Sequence, residues 1–270
     1  MPSRVPLTAY QINEIGARQF SGLPLTRPLF LNSIPKCGTL LLRNILLMFV
    51  QAKDIASDEF MQDHNLASFT EKFQAPTSNF LWGHLNYTEE SARILATANL
   101  LLLVRDPFDY VLSYTRFLYS RQTRSNFAMY VKQHMLPVDR VIMAVIFGND
   151  NSTLYFVPLH SAFYRNALPW MGGSTTLVRY EDLIRHTSNI DSDEAENYFR
   201  QLLQAAGLTD FPADWRRRIA LGSGRNLSTT ARENLDVIAS IPGSLTQVQQ
   251  QMVELAAPGL RSFLGYNAPQ

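Results

Sequence analysis

A short apolar run that ends in a glycine-containing turn constrains this chain more than any other feature. Residues 30–34 (Phe-Leu-Asn-Ser-Ile) have the pattern of a buried strand. Residues 35–39 (Pro-Lys-Cys-Gly-Thr) then mark a tight turn, and residues 40–50 have the length and composition of a buried helix. A strand, a turn and a helix in this order are typical of α/β proteins with a parallel sheet.

The turn has the residues of an anion-binding loop. Thr39 is predicted to cap the helix, so that the first helical N–H groups face the turn. Gly38 allows the backbone to approach a bound group, and the helix dipole favours an anion there. Lys36 adds a positive charge, and it is one of only four lysines in the chain. The turn therefore predicts a phosphate-binding loop, although an ordinary strand-turn-helix with a surface Lys has the same pattern.

This loop differs from the Walker A motif, G-x-x-x-x-G-K-[ST]. Lys36 precedes Gly38, and no Gly-Lys pair occurs in the chain. A Lys on the strand side of the turn can reach a group that is transferred at the far end of a nucleotide. Two alternatives stay open on the loop alone: a P-loop-type nucleotide kinase, and a non-catalytic nucleotide-binding protein.

Composition limits the class of protein. The 270 residues are enough for one domain spanning 1–270, and 46% hydrophobic with 17% charged residues fits a globular chain. The net charge of +1 gives no reason to expect nucleic acid or an anionic membrane as a partner. No apolar run reaches the ~18 residues of a bilayer span, and residues 1–28 contain no apolar signal core. With a single cysteine, these features predict a soluble, cytoplasmic protein of open oligomeric state.

Further strands follow the loop. Residues 79–85 are predicted to form a short strand that ends near His84. Residues 100–104 (Leu-Leu-Leu-Leu-Val) are a continuous apolar run, which is typical of a parallel strand buried on both faces. Residues 174–178 are interpreted as a third buried strand. Strands that alternate with helices predict a three-layer α/β sandwich with a central, mostly parallel sheet.

Helix signals separate these strands. Asp106 and Pro107 supply a cap and a first helical residue directly after residues 100–104. The basic run 215–218 is interpreted as a solvated helix face, and residues 245–263 as one closing helix. Residues 52–78 are polar and mixed, which predicts either a helix or a mobile segment.

Three polar clusters then fall at the ends of predicted strands, where parallel α/β sheets bind ligands. The first is the loop, the second is Arg105 with Ser113 eight residues later, and the third is Tyr180 in a Tyr-Glu-Asp-Leu sequence. This ordered set resembles the sulfotransferases that use 3′-phosphoadenosine 5′-phosphosulfate (PAPS), which have a P-loop-like fold. The resemblance extends over roughly residues 29 to 183 and is poor in the C-terminal third.

The resemblance implies roles for individual residues. The loop would bind the 5′-phosphosulfate, Arg105 and Ser113 the 3′-phosphate, and Tyr180 would lie near the adenine. His84 occupies the place of the family's catalytic base, 21 residues before Arg105. The loop residues concerned are Lys36, Cys37, Gly38, Thr39 and Leu40.

The chain departs from the family pattern in four places. Cys37 stands where Ser is common, Leu41 where many members have a Trp, and Asn86 where Pro usually follows His-Leu. The family's late Arg-Lys-Gly element is absent, which leaves Arg225 or Arg232 as a second contact for the 3′-phosphate.

The sequence thus predicts transfer of a sulfo group from PAPS to a hydroxyl or amine of a small molecule, with release of adenosine 3′,5′-bisphosphate (PAP). His84 would remove the acceptor proton, and Lys36 would stabilise the leaving group. No metal is expected, because the other histidines show no ligand spacing. The acceptor is not identified by the sequence.

Overall fold

A computed structural model gives the fold of residues 7–56, 59–74, 76, 78–149, 154, 156–228, 231 and 235–266. The described residues fall into two compact units. A sheet unit takes its residues from Val5–Val104 and Arg165–Ser228, and a helical unit takes them from Arg105–Tyr164 and Thr229–Gln270. That the chain is one domain stays a prediction.

The sheet unit is built on five strands that all run parallel, in the order β2-β3-β1-β4-β5. Helices flank this sheet, and the predicted α/β class with a parallel sheet is therefore confirmed. The strands are β1 (Leu29–Ser33), β2 (Met61–Gln62), β3 (Phe80–His84), β4 (Asn99–Val104) and β5 (Thr175–Arg179).

β1 lies at the centre of the sheet, and all five of its residues are buried. It pairs with β3 on one side and β4 on the other, so Asn32 lies beside Gly83 and Leu102. The third predicted strand is present as β5, but its predicted burial is wrong, because β5 lies at the edge of the sheet and only Val178 of its five residues is buried. The central position of β1 fixes the turn at its end next to the end of β3.

Six helices lie in the described part of the sheet unit. Of these, α1, α2 and α10 pack together, α8 packs on β5, and α9 packs on β4. They are α1 (Ala9–Ala17), α2 (Thr39–Leu47), α3 (Glu89–Ile94), α8 (Tyr180–Ser188), α9 (Asp193–Ala205) and α10 (Trp215–Gly222).

The basic run at the start of α10 is not a solvated face throughout. Arg218 is 3% exposed, and its Nε lies 2.6 Å from Oδ1 of Asp214. Its Nη1 donates to the carbonyls of Ser21 and Met48, each at 2.9 Å. The prediction was wrong at this residue because the acceptors come from distant parts of the chain.

The described residues of 52–78 contain two 3₁₀ segments and the two-residue strand β2. The 3₁₀ segments are Ala52–Asp54 and Asp63–Phe73. Leu66, Phe69 and Phe73 are buried in the second segment, so its apolar residues recur with the period of a helix that packs on the unit. The helix, one of the two alternatives predicted for this segment, is therefore present in 3₁₀ form.

The helical unit contains α4 (Pro107–Tyr119), α5 (Asn126–Gln133), α6 (Val138–Phe147), α11 (Gln247–Ala256) and α12 (Leu260–Phe263), and α7 (Leu159–Asn166) leads back to the sheet unit. As predicted, Asp106 caps α4 and accepts from the Phe108 N–H at 2.9 Å. The single closing helix predicted over 245–263 is wrong, because Pro258 and Gly259 interrupt it. Among the described residues, no helix is both long and apolar enough to cross a membrane.

Candidate active site

The turn after β1 contains two residues with a left-handed backbone. Lys36 and Gly38 have φ angles of +68° and +99°, both in the left-handed region. Alternation of ordinary and left-handed residues can form a concave backbone that suits an anion, although the N–H of Cys37 is already donated to the carbonyl of Ile34 at 3.2 Å. A left-handed Lys is strained, and such strain concentrates at binding sites. The phosphate-binding role of the loop stays a prediction.

Gly38, rather than Thr39, is the N-cap residue of α2. The prediction that Thr39 caps the helix is wrong, because Thr39 is already the first helical residue. Its hydroxyl instead lies 2.7 Å from the Ser33 hydroxyl. Leu40 follows it in the first helical turn, and the buried Cys37 donates its N–H to the carbonyl of Ile34 at 3.2 Å.

Tyr180 lies directly against the loop. A Cβ atom placed on Gly38 would come within 2.5 Å of Cδ2 and 2.8 Å of Cε2 of the Tyr180 ring. Tyr180 is the first residue of α8 and directly follows the edge strand β5. A residue at the end of β5 thus covers the turn that follows β1. The structure thus brings together two predicted site residues that are 142 positions apart in the chain.

We expect Gly38→Ala to lower the free energy of unfolding by about 1–3 kcal/mol, because it combines a left-handed alanine with a ring contact. Chemical denaturation of the variant measures this loss. Gly173→Ala is the matched control, since Gly173 has extended backbone and no atom within 4 Å of the added carbon.

The ring contact can be separated from the backbone strain in a Tyr180→Ala background. There the Gly38→Ala substitution should cost less, and the difference is the contribution of the ring. An equal loss in both backgrounds would contradict the packing of Tyr180 on the loop.

His84 ends β3, next to the end of β1. Its Nδ1 lies 2.5 Å from the carbonyl oxygen of Ser33 and 3.2 Å from the Ser33 hydroxyl. A carbonyl only accepts, so Nδ1 carries the hydrogen and the lone pair of the neutral ring is on Nε2. His84 is thus held in the tautomer that can remove a proton through Nε2.

Burial lowers the pKa of His84 from 6.5 to about 4. The positive charge of Lys36 lowers it further, while hydrogen bonds to the backbone of Ser33 and Gly83 act in the opposite direction. The imidazole is therefore neutral near pH 7.

A buried amide cluster fixes the backbone beyond His84. Leu85 N–H donates to Oδ1 of Asn32 at 2.9 Å, and the Leu85 carbonyl accepts from Asn32 Nδ2 at 3.1 Å. Trp170 Nε1 donates to the same carbonyl at 3.0 Å. With its amide oriented to match its neighbours, Asn166 donates to the Ser33 carbonyl and accepts from Leu85 N–H, both at 3.2 Å.

Phe60 packs against His84. Its ring meets the His84 ring edge to face, with the centroids 4.6 Å apart. The neighbouring Asp63 accepts from the N–H of Asn86 at 2.9 Å and from its Nδ2 at 2.5 Å. The Asn at position 86 thus has a structural partner of its own, and an aromatic ring packs directly on the imidazole.

The remaining predicted residues are spread over the chain. Arg225 is exposed and begins the 3₁₀ segment Arg225–Leu227, which is held to α2 by a bond from Asn44 Nδ2 to the Leu227 carbonyl at 3.2 Å. Arg232 lies outside the described residues. Arg105 and Ser113 belong to the helical unit: Arg105 directly precedes the α4 cap, and Ser113 is half-buried two turns into α4.

Sequence reasoning missed several residues around these positions. Nε and Nη2 of Arg261 donate to the Asp106 carboxylate at 3.0 and 2.8 Å, and its guanidinium lies 3.9 Å over the Phe108 ring. The Asp106 hydrogen bond raises the pKa of Arg261. Ser33 and Asn32 were also missed, although two polar residues at the end of an apolar strand were a usable signal.

Among the described residues, no group of three or more His, Cys, Asp and Glu side chains is arranged to hold a metal ion. Neither a protein-family model nor a curated protein matches the chain. Mouse sulfotransferase SULT7A1, in a crystal structure with PAP, matches 95% of this chain and 84% of its own at 14% identity and a TM-score of 0.49.

Proposed function

We propose that this protein transfers a sulfo group from PAPS to a hydroxyl or amine of a small-molecule acceptor and releases PAP. The observation that carries the proposal is the pairing of a neutral His84, with its lone pair on Nε2, and a Lys-containing loop in an anion-binding conformation. Ser33 connects the two, since it contacts both His84 and Thr39.

The loop residues fit the charge of the donor. Left-handed backbone at Lys36 and Gly38 and the start of α2 supply N–H groups and positive potential for a phosphosulfate. The Tyr180 ring beside Gly38 supplies an apolar surface at the same place. PAPS, when bound, supplies an electrophilic sulfo group on a nucleotide that can leave.

Each residue then has a defined task. His84 Nε2 accepts the proton of the acceptor hydroxyl as the new oxygen–sulfur bond forms. The bond between sulfur and the bridging oxygen breaks, and its electron pair stays on that oxygen. Lys36 stabilises the negative charge that develops there. Because His84 is already neutral at pH 7, no proton has to be lost before it acts as a base.

Titration calorimetry with PAP and with ATP tests the donor class. The proposal expects saturable binding of PAP and much weaker binding of ATP. The reverse preference would favour a kinase. A labelled-donor assay against a panel of alcohols, phenols and amines then tests transfer, and tight PAP binding without transfer to any of them would favour a non-catalytic nucleotide-binding protein.

Arg105 and Ser113 are proposed to bind the 3′-phosphate, on the strength of their eight-residue spacing. We expect Arg105→Ala to weaken PAP binding about 10–100-fold, because a charge-assisted hydrogen bond is lost. Calorimetry measures the change. Arg121→Ala is the matched control, since Arg121 is exposed in the helical unit and pairs loosely with Asp236 at 3.6 Å.

Removal of the 3′-phosphate from the ligand should mimic the Arg105 substitution. If the wild-type protein binds adenosine 5′-phosphosulfate as well as PAPS, Arg105 does not bind the 3′-phosphate. The same titration of Arg225→Ala and Arg232→Ala identifies which of these two arginines completes the site.

A further inference from the structure

The hydroxyl of Ser33 has no role in the mechanism proposed above, although it lies between the loop helix and His84. Ser33 is the last residue of the central strand β1 and is 0% exposed. Its Oγ lies 2.7 Å from Oγ1 of Thr39 in the loop helix and 3.2 Å from Nδ1 of the base His84. A longer contact, 3.4 Å, reaches the carbonyl of Gly83. A buried hydroxyl with this position connects the loop to the base.

The number of hydroxyl hydrogens limits which hydrogen bonds Ser33 and Thr39 can donate. Ser33 and Thr39 each have one hydroxyl hydrogen. Without a ligand, either of them can donate in their mutual contact. If the Thr39 hydroxyl donates to a phosphate oxygen, its hydrogen is used, and the contact survives only with Ser33 as the donor. The lone pairs of Ser33 Oγ then face Nδ1 of His84, whose single hydrogen is shared between the Ser33 carbonyl at 2.5 Å and this hydroxyl oxygen at 3.2 Å.

We propose that Ser33 is a positioning residue that makes His84 a stronger base when a phosphate group occupies the loop. The inference rests on the proposed function, because it takes the ligand of the loop to be the donor or product nucleotide. In the occupied state, hydrogens point in one direction from His84 through Ser33 and Thr39 to the phosphate. A chain with this direction stabilises positive charge on the imidazole, and successive bonds strengthen one another.

His84 needs a group that stabilises its protonated form, because the residues around the imidazole disfavour protonation. Burial and the positive charge of Lys36 both disfavour the imidazolium, and the Phe60 ring packs on the imidazole from the segment before β2. The Ser33 carbonyl fixes the tautomer but does not respond to the loop. The Ser33 hydroxyl is the group that contacts both His84 and a residue whose partner changes on binding.

Ser33→Ala is a clean test, because it removes the hydroxyl and leaves the carbonyl that holds His84. The measurement is the pKa of His84 by nitrogen NMR of histidine-labelled protein, without and with saturating PAP. The His84 signal is assigned by its loss in His84→Gln. PAP should raise the pKa of His84 in both proteins, but by about 0.5–1 unit less in Ser33→Ala.

Kinetics and controls complete the experiment. At neutral pH, Ser33→Ala should lower kcat about 3–10-fold, while the Kd for PAP changes less than about twofold. Ser68→Ala should change neither quantity, since that exposed hydroxyl bonds only its own segment, at the Asn65 carbonyl. Thr39→Val should reproduce the smaller pKa rise with weaker PAP binding, whereas Thr39→Ser should keep the wild-type rise.

The outcomes separate the two proposals. If PAP does not bind the wild-type protein, the proposed function is wrong. The proposed coupling, by which a phosphate in the loop raises the basicity of His84 through Ser33, is then wrong as well. If PAP binds and raises the His84 pKa equally in wild type and Ser33→Ala, the coupling is overturned and the proposed function stands. An unchanged kcat in Ser33→Ala, with transfer measured, overturns it as well.

Discussion

His84→Ala is expected to lower kcat for sulfo transfer to a hydroxyl acceptor by about 10²–10⁴-fold, the range for loss of a general base. The affinity for PAP should change little, because no phosphate contact is proposed for this side chain. Steady-state kinetics and calorimetry on one preparation measure both quantities.

His84→Asn is the more decisive variant. The Asn amide can still donate to the Ser33 carbonyl, but it has no basic atom in the place of Nε2. If His84 only ties the end of β3 to β1, His84→Asn should retain near-normal turnover, and the catalytic assignment would be wrong. Retained turnover with an amine acceptor alone would instead indicate a nucleophile that needs no base.

The pH dependence follows from the lowered pKa of His84, about 4 in the folded protein against 6.5 for an ordinary histidine. The acid limb of kcat/KM that belongs to His84 should therefore lie near pH 4, well below 6.5. As the pH falls from 6.5 to 4, the unfolded chain binds a proton at this residue and the folded protein does not, so stability decreases in that window. His84→Asn should lack this part of the decrease, which denaturation at several pH values can measure.

Lys36→Ala is expected to lower kcat about 10²–10³-fold, with a smaller effect on the Kd for PAP. A charge beside the leaving oxygen contributes most in the transition state, when that oxygen becomes negative. Alanine keeps the Cβ atom, so the left-handed strain at φ +68° is the same before and after the substitution. The variant therefore removes the ammonium group without relaxing the loop.

Two comparisons test that interpretation. Lys72→Ala, at an exposed lysine of the segment Asp63–Phe73, should leave kcat unchanged. Lys36→Gly should be more stable than Lys36→Ala by about 1 kcal/mol, because glycine accepts a left-handed backbone. A loss of PAP affinity with kcat intact would show that Lys36 binds the nucleotide but has no role in the transition state.

Local sequence patterns predicted the parts of the fold that depend on neighbours in the chain. The apolar runs that became β1 and β4, the strand that ends at His84, and the Asp106 cap with Pro107 are all signals within about ten residues. The loop was predicted in the same way, from a Lys, a Gly and a following helix. These features need no knowledge of what packs against them.

The errors and omissions depend on distant residues. Thr39 was assigned to the helix cap because the sequence does not show that Ser33 takes its hydroxyl. Arg218 was placed on a solvated face, although the backbone carbonyls of Ser21 and Met48 accept hydrogen bonds from it. The contact between Tyr180 and Gly38 also depends on the order of strands in the sheet, which no local pattern encodes.

Because Cys37 is buried, its reaction with a thiol reagent can report on opening of the loop. Cys37 is the sole cysteine of the chain, and it is 0% exposed at the centre of the turn. A thiol reagent can therefore react with the native protein only when this turn opens, so the labelling rate measures local opening without any engineered probe. A ligand that the loop binds holds the turn closed and slows labelling, which makes modification of one natural thiol a direct assay of loop occupancy.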